Sequence, residues 1–392
     1  MSKRSIRLCT LILPFFIGLL STPGSVCGAA PRSEAEVKKA IELAIKPLLE
    51  KHGIPGMAIG VTIDGKRYFV EYGQASKQPQ LSITRDTLFE LGSISKTFTA
   101  TLAARAEVDG KLSLNDPVTK HLPELKGSAL DRIRLLELAT HTAGGFPLQL
   151  PDELKTREDL MSYFRTWKPQ FPPGVKRHYA NPSIGLLGVA AAKALGGDFT
   201  TLMEGRLFPE LGLKRTYIKV PTAALPTYAW GYNREDKPVR VNPGLLDSEA
   251  YGVKSNTTDM LRVIEAHMGI GNVPEKLSRA LKTTRTGYYK TGEMIQDMIW
   301  EQYPYPAPIE KMLAGNAPAV IFEPHPVTPI VPPIAPGGPF IINKTGSTNG
   351  FGAYVAFIPT ERIGIVMLAN KNYPIESRVR AGHQVLTQLT AH

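Results

Sequence analysis

Apolar residues at Val37, Ile41, Ile45 and Leu48 recur among charged ones, which predicts an amphipathic helix over Ser33 to His52. Ser33 and Glu36 have capping-box spacing, and Pro47 is placed to kink the helix. Met57 to Ile63 and Lys66 to Tyr72 read as two strands joined at Asp64-Gly65, a strong hairpin signal. An apolar stretch at Phe89 and Leu91 then gives way to a helix that begins at about Ser93 and stops near Gly110.

The middle of the chain reads as helical with long loops. Arg134 to Thr140 and Ser183 to Leu195 are apolar enough to be buried helices. Pro221 to Lys254 is irregular and carries Tyr228, Trp230, Tyr232 and Tyr251, the pattern of a lid over a site. Pro324 to Pro339 holds seven prolines and is expected to be an extended surface loop, neither strand nor helix. Phe340 to Lys344, Gly352 to Ile358 and Ile363 to Leu368 return to strands, the last two joined at Pro359-Thr360-Glu361-Arg362. A final helix over Glu376 to Leu389 turns Val379, Leu386 and Leu389 inward. Strands and a helix at both ends, around a helical middle, predict a discontinuous α/β domain over 30–109 and 316–392. A mostly helical domain over 110–315 would then form one wall of a crevice.

The first residues differ from the rest. Lys3, Arg4 and Arg7 precede an apolar run from Leu8 to Leu20, and Cys27-Gly28-Ala29 offers small residues for cleavage. The run is short for a membrane span. Residues 1–29 are therefore expected to be a signal peptide, removed on export to the periplasm with no stable membrane association afterwards. The only cysteines, Cys9 and Cys27, fall inside it. The mature chain would lack a disulfide, a thiolate nucleophile and cysteine metal ligands. Net charge is +11, and removing Lys3, Arg4 and Arg7 with no acid lost leaves +8. The cations are scattered without a run, which reads as a solvated basic surface and not as a nucleic-acid site.

Ser93-Ile94-Ser95-Lys96 is the only Ser-x-x-Lys in the chain. A helix puts residues three apart on one face, so the Ser93 hydroxyl and Lys96 amine can meet. A buried lysine loses its proton more readily and can activate serine. Tyr179-Ala180-Asn181 is the only Tyr-x-Asn. Its phenol can carry the serine proton if cations lower its pKa, and Asn181 offers both a donor and an acceptor. Lys344-Thr345-Gly346 ends a predicted strand, with Gly346, Gly350 and Gly352 allowing close approach to backbone. Lys344 would attract a carboxylate, and the Ser347 N–H would pair with that of Ser93 as an oxyanion hole. A second Lys-Thr-Gly at Lys290-Thr291-Gly292 precedes Glu293-Met294-Ile295-Gln296, which looks helical, so the copy at 344 is preferred. No Gly-x-Ser-x-Gly exists, and the eight histidines show no His-Glu-x-x-His, against an α/β-hydrolase or a zinc enzyme.

The order of these motifs resembles that of the class C serine β-lactamases, periplasmic cephalosporinases. So do Leu88-Phe89-Glu90-Leu91-Gly92, His141-Thr142-Ala143-Gly144-Gly145, Leu148-Gln149-Leu150-Pro151-Asp152, Glu249 to Ser255 and Leu368 to Pro374. The resemblance implies an antiparallel sheet flanked by helices plus a mostly helical domain. It also implies a monomer without metal or cofactor, and β-lactam hydrolysis through an acyl-enzyme, hence antibiotic resistance. Ser93 stands as nucleophile, Lys96 as its partner and Tyr179 as proton acceptor. Gln149 and Asn181 would contact the substrate's amide side chain, and Lys344 and Thr345 its carboxylate. Asn343 stands where histidine is frequent, and Ile375 where an asparagine often helps to bind the carboxylate. Arg378 or Asn343 is expected to take up that role. D-alanyl-D-alanine carboxypeptidases and family VIII esterases share the fold, and a penicillin-binding sensor is the non-enzymatic alternative.

Overall fold

The computed structural model describes residues 32–391. The leader, its cleavage site and both cysteines lie outside the described residues.

The first helix spans Glu34–His52 and runs through Pro47 to a left-handed cap at Gly53. Its capping box is formed: Glu36 accepts from the Ser33 N–H at 2.7 Å, and Ser33 Oγ accepts from the Glu36 N–H at 3.2 Å. The hairpin follows as Gly56–Ile63 and Lys66–Lys77, in register from Gly56 opposite Gly73 to Ile63 opposite Lys66.

These strands join a ten-stranded sheet. Its order is Thr328–Ile334, Gly287–Thr291, Met294–Gln296, Glu301–Pro304, Phe340–Ser347, Gly352–Ile358, Ile363–Ala369, Gly56–Ile63, Lys66–Lys77 and Gln80–Ser82. Every pairing in it is antiparallel. Met57 stands opposite Ala369, so strands from the two ends of the sequence lie side by side within the sheet.

Two parts of the sheet differ from expectation. The strands at Gly287–Thr291, Met294–Gln296 and Glu301–Pro304 fall in the 110–315 stretch expected to be helical. Three- to five-residue strands carry too little alternation to be told from a helix by pattern. Lys290-Thr291-Gly292 therefore ends a hairpin strand, with Gly292 turning at φ 54° and Lys290 exposed. The proline-rich segment forms an edge strand at Thr328–Ile334, pairing Thr328 with Lys290 and Ile334 with Gly287 around an irregular register. Proline lacks only a donor, and an outer edge needs few. Among the described residues it also leaves Val331 87% exposed.

One face of the sheet packs on Glu34–His52 and Ile375–Thr390 through Ile41, Ile45, Tyr354, Met367, Val385 and Leu386, all buried. The other face meets Ser95–Val108 and Thr257–His267 through Phe98, Leu261, Ile264, Trp300 and Phe357. Burying each such side chain contributes about 1.5–3 kcal/mol. A third core of leucines and alanines, among them Leu138, Leu186, Leu187 and Ala103, fills the helical lobe around Asn181–Leu195.

Ser95–Val108 lies between the two lobes, and every side chain from Ser95 to Ala106 is buried. Such a helix is buried all round, not amphipathic. Its far end is tied down by charge. Asp109 follows it and meets Lys276 at 3.0 Å, Arg206 at 2.7 Å and Arg105 at 3.2 Å. An aspartate is unfavourable at a helix C-terminus, and these cations offset that.

Burial alone would raise the Asp109 carboxyl, but Lys276, Arg206 and Arg105 outweigh it and bring its pKa from 3.8 to about 2. A depressed carboxyl stabilises the fold above its unfolded pKa, and that stability is lost as pH falls through the folded one. Asp109→Asn should therefore cost about 1–2 kcal/mol at pH 7, after allowing for solvent screening. The difference should be mostly lost by pH 2 and vanish only below it. Urea midpoints at the two pH values measure it.

Candidate active site

The sheet and the helical lobe meet where a turn of one touches a strand of the other. Gly92 opens a single 3₁₀ turn, Gly92–Ile94, before the long helix, and has φ 52°. A Cβ there would lie 2.5 Å from the backbone N of Ser347. A Cβ on Gly346 would lie 1.9 Å from the Leu91 carbonyl. Only glycine fits at either place, and the contact sets the Ser347 backbone beside Ser93.

Ser93 is half-buried and Lys96 fully buried. Lys96 Nζ donates to Ser93 Oγ at 3.0 Å and to the Ala250 carbonyl at 2.8 Å. Burial depresses the Lys96 ammonium; Tyr179 opposes the shift and Lys344 adds to it.

Tyr179 is buried above this pair. Its ring centre is 5.2 Å from Lys96 Nζ, 5.3 Å from Lys344 Nζ and 5.4 Å from the Arg177 guanidinium. Burial pushes the phenol up, but Lys96 and Lys344, with help from Ser93, bring it below its ordinary value. The buried hydroxyl has no partner that meets hydrogen-bond geometry within the protein, which leaves it open toward a ligand. The His141 ring lies 4.3 Å away, its Nδ1 accepting from the Ala180 N–H. Burial, Arg177, Lys96 and Lys344 hold His141 well below the usual histidine range, so it is neutral.

Lys344 is buried on Phe340–Ser347 with Nζ 3.3 Å from Glu301 Oε1. Thr345 and Gly346 follow toward the crevice, and Ser347 is exposed. On the opposite wall, Asn181 opens the helix Asn181–Leu195 and donates to the exposed Gln149 Oε1 at 2.8 Å. The buried Asn181 Oδ1 has no partner, so it remains an acceptor for a ligand N–H.

Two expected binding residues are turned to other uses. The Asn343 side chain is fully buried, donating to the Glu301 carbonyl at 2.9 Å and accepting from Asn316 at 3.3 Å. Neither end of its amide reaches the crevice. Arg378 is also fully buried. It donates to the Gly346 carbonyl at 2.7 Å, Ser347 Oγ at 2.9 Å, Asn372 Oδ1 at 2.6 Å and the Tyr373 carbonyl. It braces the strand end from behind. Ile375 is half-buried and begins the final helix.

The segment Pro221 to Lys254 is fastened down, not poised as a lid. Tyr228 donates to Glu90 at 2.6 Å, and Tyr232 Oη accepts from the Lys77 N–H at 2.7 Å. Tyr228 and Tyr232 serve as anchors, and the Asp247–Ala250 turn enters the site through the Ala250 carbonyl.

Three groups at the site carry no motif: the Ala250 carbonyl, Glu301 and Arg177. Arg177 stands two residues before Tyr179, and extended chain puts such residues on one side. That spacing was a usable signal. Glu301 is one acid after Trp300 and had none.

A serine bound to a buried lysine, beneath a tyrosine between cations, defines a candidate serine-hydrolase site of the penicillin-recognising type. The Beta-lactamase family model matches residues 41–390. A Beta-lactamase of Pseudomonas fluorescens is 46% identical over 354 residues, covering 90% of this chain and 99% of its own. One of Escherichia coli K12 is 44% identical over 372 residues, covering 95% and 98%. Among solved structures, a class C beta-lactamase in complex with cefoxitin superposes with TM-score 0.88 at 47% identity, covering 90% of this chain and 99% of its own. A D-alanine carboxypeptidase AmpC from Burkholderia cenocepacia gives 0.87 at 48%, covering 90% and 99%. The chain belongs to the Beta-lactamase family, and within it stands with the class C enzymes.

The burial of Arg378 makes its contribution structural. Arg378→Ala should lower stability by about 1–3 kcal/mol, because it leaves the buried carbonyls of Gly346 and Tyr373 without their donor. Any rise in KM should not depend on salt, because the group is not screened by solvent. Thermal melts and kinetics at two salt concentrations test this.

Proposed function

We propose that this protein hydrolyses the β-lactam ring of cephalosporins and penicillins through a covalent acyl-enzyme on Ser93. The observation that carries the reading is the buried Lys96 ammonium, held between Ser93 Oγ and the Ala250 carbonyl. The lysine is depressed by its surroundings, and Tyr179 above it is depressed by cations. Both are thereby brought toward neutral pH as proton carriers.

In this reading Ser93 Oγ attacks the lactam carbonyl as its proton passes to the Lys96–Tyr179 pair. The backbone N–H groups of Ser93 and Ser347 hold the oxyanion. Tyr179 then delivers the proton to the ring nitrogen as the C–N bond breaks. In the second half it takes a proton from the water that attacks the ester, and Ser93 leaves with that proton. Lys344, Thr345 and the backbone at Gly346 receive the substrate carboxylate. Gln149 and Asn181 receive the amide side chain. The protein acts as a monomer after export to the periplasm. No helix among the described residues is long and apolar enough to cross a membrane.

The carboxypeptidase reading is favoured by one observation, the similarity to a solved structure named as a D-alanine carboxypeptidase. Deacylation separates the two. A β-lactamase turns over penicillin, whereas a cell-wall peptidase remains acylated.

The test is mass spectrometry with a slowly hydrolysed β-lactam. The whole mass of the compound should be added to the peptide bearing Ser93, and be absent in Ser93→Ala. Labelling of the alanine variant refutes the assignment. Tyr179→Phe should lose roughly 10²–10⁴-fold in kcat. In the wild type, kcat/KM should fall as pH drops through the depressed Tyr179 pKa, because the protonated phenol cannot accept the serine proton. A pH–rate profile measures this.

A further inference from the structure

The carboxylate of Glu301 is shared. Its Oε1 lies 3.2 Å from Arg177 Nη2 and 3.3 Å from Lys344 Nζ, and all three residues are buried. Arg177 is fixed from its other sides, Nε donating to Gln296 at 2.6 Å and Nη1 to the Val320 carbonyl at 2.7 Å. Its guanidinium also faces the Tyr179 ring.

We infer that Arg177 is a positioning residue of the acid–base apparatus: by drawing on the same Glu301 oxygen, it keeps the Lys344 charge available to Tyr179 and to the crevice. The inference rests on the reading of Tyr179 as the proton carrier. The reason is charge balance at low dielectric. Lys96, Lys344 and Arg177 face one carboxylate around the phenol. Without Arg177, Glu301 would pair with Lys344 alone and cancel it. The phenolate would lose a cation's worth of stabilisation. Without Glu301, the cations would act on the phenol unopposed.

The groups facing Tyr179 are few enough to count. Ser93 and Lys96 come from the buried helix and its leading turn, Lys344 from the central strand and Glu301 from the strand beside it. His141 packs on the ring from the helical lobe and is neutral, as shown above. His178 on Tyr179's own segment is lowered by burial, so it is neutral too. The Arg177–Glu301 pair is thus the adjustable element.

The inference predicts an order that a purely structural role does not. Compare the wild type, Arg177→Met, Glu301→Gln and the double variant, and follow the Tyr179 phenol by NMR with ring-labelled tyrosine, assigned by its loss in Tyr179→Phe. Arg177→Met should raise the phenol's titration by about one pH unit, and Glu301→Gln should lower it by a similar amount. The double variant should return to within a few tenths of a unit of wild type. A structural role predicts that the double variant, which lacks both sets of bonds, is at least as perturbed as the worse single. Arg177→Lys keeps the charge without the fork, and should titrate near wild type even if its melting point falls. If Arg177→Met does not fold, Glu301→Gln and Arg177→Lys still decide the matter. An unmoved phenol in Glu301→Gln, or a double variant that tracks the worse single, overturns the inference. The acid limb of kcat/KM on nitrocefin is measured in parallel. Titrations that shift as ordered while the limb stays put would uphold the role of Arg177 and refute that of Tyr179 in catalysis.

Discussion

The constraint on which the site depends is the backbone contact between the turn at Gly92 and the strand end at Gly346. Neither residue has room for a Cβ, and each faces backbone that cannot swing aside. The helix with Ser93 and Lys96 thereby meets the strand with Lys344 at a fixed separation. Arg378 tightens that contact from behind, Nη1 donating to Gly346 and Ser347 while Nη2 reaches Asn372 and Tyr373. The final helix, which packs on the far face of the sheet, is in this way joined to the geometry at the serine.

The second requirement is electrostatic. Lys96 and Lys344 are both buried within about a ring's width of Tyr179. Burying unpaired cations is costly, so each needs compensation. Lys96 receives it from a carbonyl and a hydroxyl, which leave its charge uncancelled. Lys344 receives it from Glu301, whose charge is divided with Arg177. The arrangement is neutralised enough to fold, yet cationic enough to hold a phenol below its ordinary pKa.

Much of this was legible in the sequence, and the limits have physical causes. Ser-x-x-Lys was legible because a helical turn fixes its geometry locally, and the capping box at Ser33 for the same reason. The hairpin at Asp64-Gly65 and the terminal strands were strongly patterned. Glu301 and the Ala250 carbonyl were not, since each reaches the site through tertiary pairing across a long separation. Arg378 and Asn343 misled for a related reason. A polar residue near a motif looks like a ligand-binding group until its side chain is found buried and bonded within the protein. The proline-rich edge strand escaped notice because proline argues against a strand only where a donor is needed.

The exposure of the site residues follows the proposed chemistry. Ser347 and Gln149 are exposed, Ser93 is half-buried, and Lys96, Tyr179 and Lys344 are buried. Groups that meet the substrate first are in solvent, and groups that must hold unusual protonation states are not. A low dielectric strengthens every interaction among the buried three. Water must nevertheless reach an acyl group on Ser93 for turnover, which is why the serine itself is not sealed. The partnerless Tyr179 hydroxyl lies at that boundary. There it lies beside Ser93, between the two lysines that hold its pKa down.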